Sequence, residues 1–264
     1  MITAKALAVL KKDIISALRY RNGFVFGIIS PLLQLATFYY LSRAVGPQFR
    51  PEGMPYFLFL VVGTGFYTFL FSGTHAFLRT VQESQQTGTL EALMTTSTSP
   101  ATLISLSTLS AFASGFVQLL IYLGAGILFF APIPHVNIAG AVLVLAFSVV
   151  ICAAIGLFAA GLQVAIHKGS VMLWAMSSSA WLMAGALFPV AALPRPIQTL
   201  SALLPFTHSL TAMRLTFLQG NSSANLGREI GILFLYAGLL LPVAVTFFSR
   251  AVQRARRLGT LSFY

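Results

Sequence analysis

Carboxylates are almost absent from this chain. Among 264 residues there are five, Asp13, Glu52, Glu83, Glu91 and Glu229, and none lies in the middle of an apolar run. A proton or ion pump normally places ionisable groups within its spans, so this chain has no obvious means of running on an ion gradient. Charge of either sign is scarce: charged residues make up 8%, against about 25% in a soluble domain. Cysteine is represented by Cys152 alone, inside an apolar run. That excludes a disulfide or a thiolate metal pair within one chain and leaves a small packing residue. The only lysines are Lys5, Lys11, Lys12 and Lys168, and none completes a G-x-x-x-x-G-K-[ST] loop. The chain therefore does not hydrolyse ATP through a P-loop, and uphill transport would need energy from another polypeptide. No secretory h-region with a cleavage site opens the sequence, so no signal peptide is expected to be removed.

What the chain has is apolar surface. Hydrophobic residues are 57% and the mean hydropathy is +0.87. Such a composition cannot be covered by polar groups in water, so bilayer lipid is the solvent. The length accommodates about six spans of roughly 20 residues with short connections. The apolar runs place them at about 22–41, 55–78, 102–130, 138–166, 170–188 and 229–249. The Pro-rich turn Ala131–Asn137 is tight, so the third and fourth spans should form a helical hairpin. Residues 1–21 read differently. Leu7, Leu10, Ile14 and Leu18 recur at helical spacing, while Lys5, Lys12 and Arg19 fall on another face. This is the pattern of an amphipathic helix lying in the membrane interface, basic face toward headgroups. The expected architecture is an all-α membrane protein, with an interfacial helix over 1–21 and a transmembrane domain over 22–264.

The net charge of +11 is a topology signal rather than a sign of nucleic-acid binding, because the basic residues cluster beside apolar stretches. With six spans both termini share a side. That side carries Lys5, Lys11, Lys12, Arg19, Arg21, Arg79, Lys168, Arg250, Arg254, Arg256 and Arg257. The other carries Arg43, Arg50, Arg195, Arg214 and Arg228. Both termini are therefore expected in the cytoplasm.

Residues 189–228 are apolar for a loop and are punctuated by Pro189, Pro194, Pro196 and Pro205. Two short re-entrant helices dipping into the outer leaflet fit best, since irregular backbone at that depth must be covered by protein. His208 has no carboxylate near it in sequence and reads as a hydrogen-bonding residue near the end of a short helix. Glu83 and Glu91 are eight residues apart and make a poor pair for Mg²⁺ on a diphosphate.

Both lie in the polar insert that runs from Gln82 to Met94. Gly88 is an acceptable N-cap, and Glu91 would then sit at N3, near the positive end of the helix dipole. Leu90, Leu93 and Met94 share a face. A short cytoplasmic helix over about 89–96 should present an apolar patch beside a carboxylate, either to a partner or to the membrane surface.

The run from Glu83 through Gly88-Thr89-Leu90-Glu91-Ala92-Leu93 to Ser99-Pro100 resembles the cytoplasmic signature of ABC-2 type transporter permeases. Leu187-Phe188-Pro189, Leu193-Pro194, Leu203-Leu204-Pro205-Phe206-Thr207-His208 and Arg214 resemble the segment that follows the fifth span in that family. The resemblance implies that Glu83, Gly88, Thr89, Leu90, Glu91 and Leu93 belong to a coupling helix that docks on a P-loop ATPase. Lys5, Lys12 and Arg19 would lie on the connecting helix, and Pro189, Pro194, Pro205, His208 and Arg214 on the outward re-entrant segment. It also implies two copies of the ATPase subunit, which would hold ATP and Mg²⁺, and a second permease copy or close homologue. This chain itself would bind no cofactor or metal and would not be an enzyme. The place implied is the bacterial inner membrane, and the activity is export of an amphipathic or lipid-like solute. A passive channel or a scaffold with no ATPase partner is the alternative reading.

Overall fold

The computed structural model describes residues 21–86, 88, 100–130, 136–166, 168–218 and 223–258. Among these residues there are eight α-helices and no strand. They are α1 (Arg21–Val45), α2 (Tyr56–Gln86), α3 (Pro100–Phe130), α4 (Ile138–Ile166), α5 (Gly169–Met183), α6 (Arg195–Ala202), α7 (Pro205–Leu218) and α8 (Ser223–Leu258). Single 3₁₀ turns occupy Pro51–Gly53 and Val190–Ala192. The interfacial helix expected over 1–21, with Lys5, Lys12 and Arg19, lies outside the described residues except for Arg21.

Local chemistry sets several ends. Pro100 and Pro205 open α3 and α7, where the missing N–H is one of the donors that a helix start leaves unpaired anyway. Asn137 caps α4: its Oδ1 accepts a hydrogen bond from the Gly140 amide at 3.0 Å. Four helices contain segments long and apolar enough to cross a membrane, namely Tyr56–Gln86, Ala111–Leu128, Ile138–Ile166 and Asn225–Leu258. The fifth expected span, 170–188, is divided. Its helix stops after 15 residues at Met183, and Gly185 turns the chain with φ +79°. At about 1.5 Å per residue that helix is roughly 22 Å long, short of a hydrocarbon core of about 30 Å.

The second helix is the centre of the bundle. Along 31 residues it buries Phe59, Leu60, Phe66, Leu70 and Phe77 almost completely, and α1, α3, α4, α5 and α7 all pack on it. α8 packs mainly on α4. Glycines let the backbones meet. A Cβ on Gly156 of α4 would lie 2.6 Å from the Thr74 carbonyl of α2, and one on Gly65 would lie 2.6 Å from the Tyr122 ring of α3. Small residues at helix contacts replace the hydrophobic drive that lipid removes.

The expected hairpin of the third and fourth spans does not form as a packed pair. α3 and α4 follow one another in the chain but barely touch, because each packs on α2 instead. Phe66 of α2 faces the space between them. Where they part, an apolar cavity of about 370 Å³ is left among α2, α3, α4 and α7.

These contacts make a pair of contrasting expectations. Gly156→Ala pushes a methyl into the α2 backbone and should lower the thermal midpoint in detergent, with a cost of about 1–3 kcal/mol. Gly124→Ala meets nothing within 4 Å and should leave the midpoint unchanged.

Candidate functional site

Two regions carry the residues singled out from the sequence, and α2 joins them. The first is built where α5 ends. After Gly185 the chain passes Pro189 and Pro194, both extended, with φ −63° and −58°. Proline suits these positions because it fixes φ and needs no donor partner. α6 and α7 then fold back against the bundle. Ser201 Oγ donates to the Met183 carbonyl at 2.6 Å, and Gln198 Nε2 donates to the Leu193 carbonyl at 2.7 Å. Tyr56 Oη donates to the Leu187 carbonyl at 3.2 Å. The turn after α5 is thereby tied both to the short helices and to the start of α2.

Arg214 is the core of this region. It is the largest fully buried side chain among the described residues, with 2% exposure. Its Nη2 donates to the Gly185 carbonyl at 2.7 Å, with longer contacts to Ala186 at 3.3 Å and Phe59 at 3.4 Å. The guanidinium lies over the Phe59 ring, 3.6 Å from its centroid, a cation–π contact strengthened by desolvation. Room for it exists because position 63 is glycine: a Cβ there would sit 2.2 Å from Nη2. Burial pushes the Arg214 pKa down to about 10, and the Glu52 carboxylate opposes that shift. The group therefore stays charged at neutral pH. Glu52 is held with φ 54°, the only non-glycine residue of positive φ among the described residues, a conformation that carries strain.

His208 closes the same region from the other side. Its Nδ1 lies 2.7 Å from Glu229 Oε2 and its Nε2 lies 2.9 Å from the Ala202 carbonyl. Both ring nitrogens thus face acceptors, and only the imidazolium can donate to both. The hydrogen bond to Glu229 raises the His208 pKa above its ordinary 6.5, against desolvation that lowers it. The carboxylate missing from the neighbouring sequence is supplied by α8, 21 residues away. Tyr236 of α8 adds a hydrogen bond from its hydroxyl to the Leu203 carbonyl at 3.0 Å.

The second region is the far end of α2. The helix runs eight residues past the expected end of the span, so residues 79–86, which include the first part of the polar insert, are helical. Val81 and Gln85 are buried there, while Glu83 is exposed. Val81 packs with Val164 of α4 and with Val252 and Ala255 of α8. Gly88 has φ +68° and its amide donates to the Gln85 carbonyl at 3.3 Å. That is the left-handed geometry that ends a helix, so Gly88 closes α2 where the sequence suggested a start for the next helix. Thr89, Leu90, Glu91 and Leu93 lie outside the described residues.

A lateral groove of about 580 Å³ separates α2 from α5, lined among others by Tyr67, Thr68, Phe71, Trp174 and Trp181. Tyr67 Oη donates to the Ser177 carbonyl at 2.6 Å and fixes its width. Among the described residues no group of three or more His, Cys, Asp or Glu side chains is placed to hold a metal ion.

Sequence reasoning finds Arg214 and His208 but misses their partners. Phe59, Gly63, Glu52 and Glu229 are remote in the chain, and only the ring-and-glycine pattern in α2 hints at a seat for a cation. Residues 27–246 match the model of a family described as ABC-2 family transporter protein. No curated protein matches the chain.

Removing Arg214 strands the Gly185 and Ala186 carbonyls, each at about 1–3 kcal/mol. Arg214→Met should lower the thermal midpoint by several degrees. Arg214→Lys should not restore it, because an ammonium cannot lie flat on Phe59. A second expectation concerns pH. A base whose pKa is raised on folding contributes stability that is full below the unfolded value of 6.5 and lost as pH rises through the higher folded value. The difference in thermal midpoint between the wild type and His208→Gln should therefore be largest below pH 6.5 and shrink in more alkaline buffer.

Proposed function

The chain belongs to the ABC-2 transporter family, and from that premise we propose that it is the permease subunit of an ABC exporter in a bacterial inner membrane. The observation that carries the mechanism is the continuity of α2. One 31-residue helix runs from the Arg214 clamp at its outer end to the Gly88 turn at its cytoplasmic end. At about 1.5 Å per residue it is roughly 46 Å long. A displacement applied at the Gly88 end of α2 is delivered, through a helix without a break from Tyr56 to Gln86, to the turn that closes the outer side.

In this reading six spans cross the bilayer, with α5 completed by the segment to Phe188, and both termini are cytoplasmic. Residues 1–21 lie in the interface. Glu83, Gly88, Thr89, Leu90, Glu91 and Leu93 form the surface that an ATPase subunit grips. ATP and Mg²⁺ belong to that partner, in two copies, and this chain contributes no catalytic group. A second permease copy or close homologue faces the groove between α2 and α5, so the path lies between the two chains. The solute is amphipathic, as the mixture of Tyr67, Thr68, Phe71, Trp174 and Trp181 along that groove suggests. α6 and α7 form the outer closure, and α2 moves it when the ATPase subunits close on ATP.

Two substitutions test this. Glu91→Lys reverses the charge at the grip, and Gly88→Val puts a β-branched residue at positive φ. Both should abolish ATP-dependent solute uptake by inverted vesicles and the solute stimulation of ATPase activity. Membrane insertion should be normal, since a Cβ at Gly88 meets nothing within 4 Å. Gentle detergent extraction should bring down a P-loop ATPase in near-equal amount. Normal uptake in both variants sinks the coupling role, and a homo-oligomer that conducts solute without an ATPase favours a passive channel.

A further inference from the structure

Another polar feature lies apart from the Arg214 clamp and the Gly88 turn. Where α1, α2 and α3 meet, a slot of about 40 Å³ is walled by Gln34, Thr68, Ser72, Gln118 and Tyr122. The slot is at intramembrane depth. Gln34 stands near the middle of α1, which runs Arg21–Val45, and Gln118 near the middle of the apolar stretch Ala111–Leu128. Both glutamines are exposed on the lateral face, and neither side chain makes a hydrogen bond within the described residues. Primary amides left bare toward hydrocarbon are costly, so something with hydrogen-bonding capacity must meet them.

The walls define what that is. Thr64 Oγ1 gives its proton to the Leu60 carbonyl at 2.6 Å, so in the 3.1 Å contact with Tyr122 the phenol is the donor. The Tyr122 oxygen keeps a lone pair free for the slot. Ser72 Oγ likewise donates away, to the Phe69 carbonyl at 3.0 Å, and keeps acceptor capacity. Gln34 and Gln118 offer donors and acceptors together. No charged residue lines the slot, so an ion placed there would have no counter-charge to offset its desolvation. Gly65 and Gly115 give the slot its shape. A Cβ at 65 would enter the Tyr122 ring, and one at 115 would lie 3.1 Å from Ser72 Oγ. Thr68 lines both this slot and the α2–α5 groove, so the two adjoin across that one residue of α2.

We propose that this slot recognises the uncharged head of the transported amphiphile, a hydroxyl- or amide-bearing group, while the apolar body lies along the aromatic groove between α2 and α5. The assignment rests on the transport reading above and narrows its solute to neutral amphiphiles. A hydroxyl is a donor and an acceptor at once and matches what the five side chains present. A phosphate or an ammonium does not.

The chain carries its own reporters. Its only two tryptophans, Trp174 and Trp181, line the groove. The full-length permease, without any ATPase, is placed in nanodiscs and titrated with three bromine-labelled amphiphiles. They share one acyl chain and differ in a glycerol, a phosphate or a trimethylammonium head. The glycerol form should quench tryptophan fluorescence saturably, and the charged forms should show only the linear quenching of lipid partitioning. Gln34→Leu and Gln118→Leu should each weaken the saturable phase about three- to tenfold, the loss of one or two hydrogen bonds. Gln34→Asn should retain more of it than Gln34→Leu. If a leucine variant folds poorly, Gly115→Ala narrows the slot by one methyl and should give the same weakening. Three results overturn the proposal: equal quenching by all three heads, saturable quenching indifferent to these variants, or loss of dimer mass in the leucine variants with quenching unchanged. The last would mean that the slot is a contact with the second copy. Because no ATPase is present, binding that survives while Glu91→Lys transports normally would separate this site from a failed coupling role.

Discussion

A single buried cation holds the region around the end of α5 together. The guanidinium of Arg214 binds the Gly185 and Ala186 carbonyls, rests on Phe59 and fills the space that Gly63 leaves. Among the described residues its hydrogen bonds go to backbone carbonyls. Backbone that has left the helical path in an apolar setting has carbonyls with no water to satisfy them. A planar, multi-donor cation meets several at once. The break after α5, the two proline-initiated helices and the close approach to α2 all depend on that one side chain.

The same constraint explains why the polar groups stand where they do. Tyr56, Tyr67 and Ser201 each spend a hydroxyl on a backbone carbonyl at or near α5. His208 reaches two acceptors from one ring. At the Gly88 end Glu83 is exposed, whereas the helix beneath it is packed by Val81, Val252 and Ala255. Along α2, His75, Arg79 and Glu83 all fall in its second half, and the stretch before them carries aromatics, aliphatics, glycines and neutral hydroxyls.

Much of this architecture is legible in the amino-acid order. Apolar runs at bilayer length place α2, α4 and the apolar part of α8, and the prolines at 189, 194 and 205 mark the broken segment, because these signals are local. Contacts between elements are not legible in the same way. The turn at 131–137 suggests a paired hairpin, yet α3 and α4 each pack on α2 rather than on one another. Gly88 suits a helix start by residue type alone, and only the reach of α2 to Gln86 shows that it also ends a helix. His208 looks isolated because its carboxylate, Glu229, is on another element. Gln34 and Gln118 carry no signal of their own. A lone amide in an apolar run means little until a second one faces it.

The shortness of α5 has a consequence for the membrane itself. A helix of 15 residues flanked by the exposed rings of Trp174 and Trp181 offers the bilayer a hydrophobic height several ångströms below the resting thickness. Wherever lipid rather than a second copy meets that short face, it must compress or disorder to match it, whereas α4, which packs on α5, and α8 are long enough for the full core. Neighbouring helices therefore ask two thicknesses of one bilayer. Acyl-chain length becomes a variable that acts most strongly at α5.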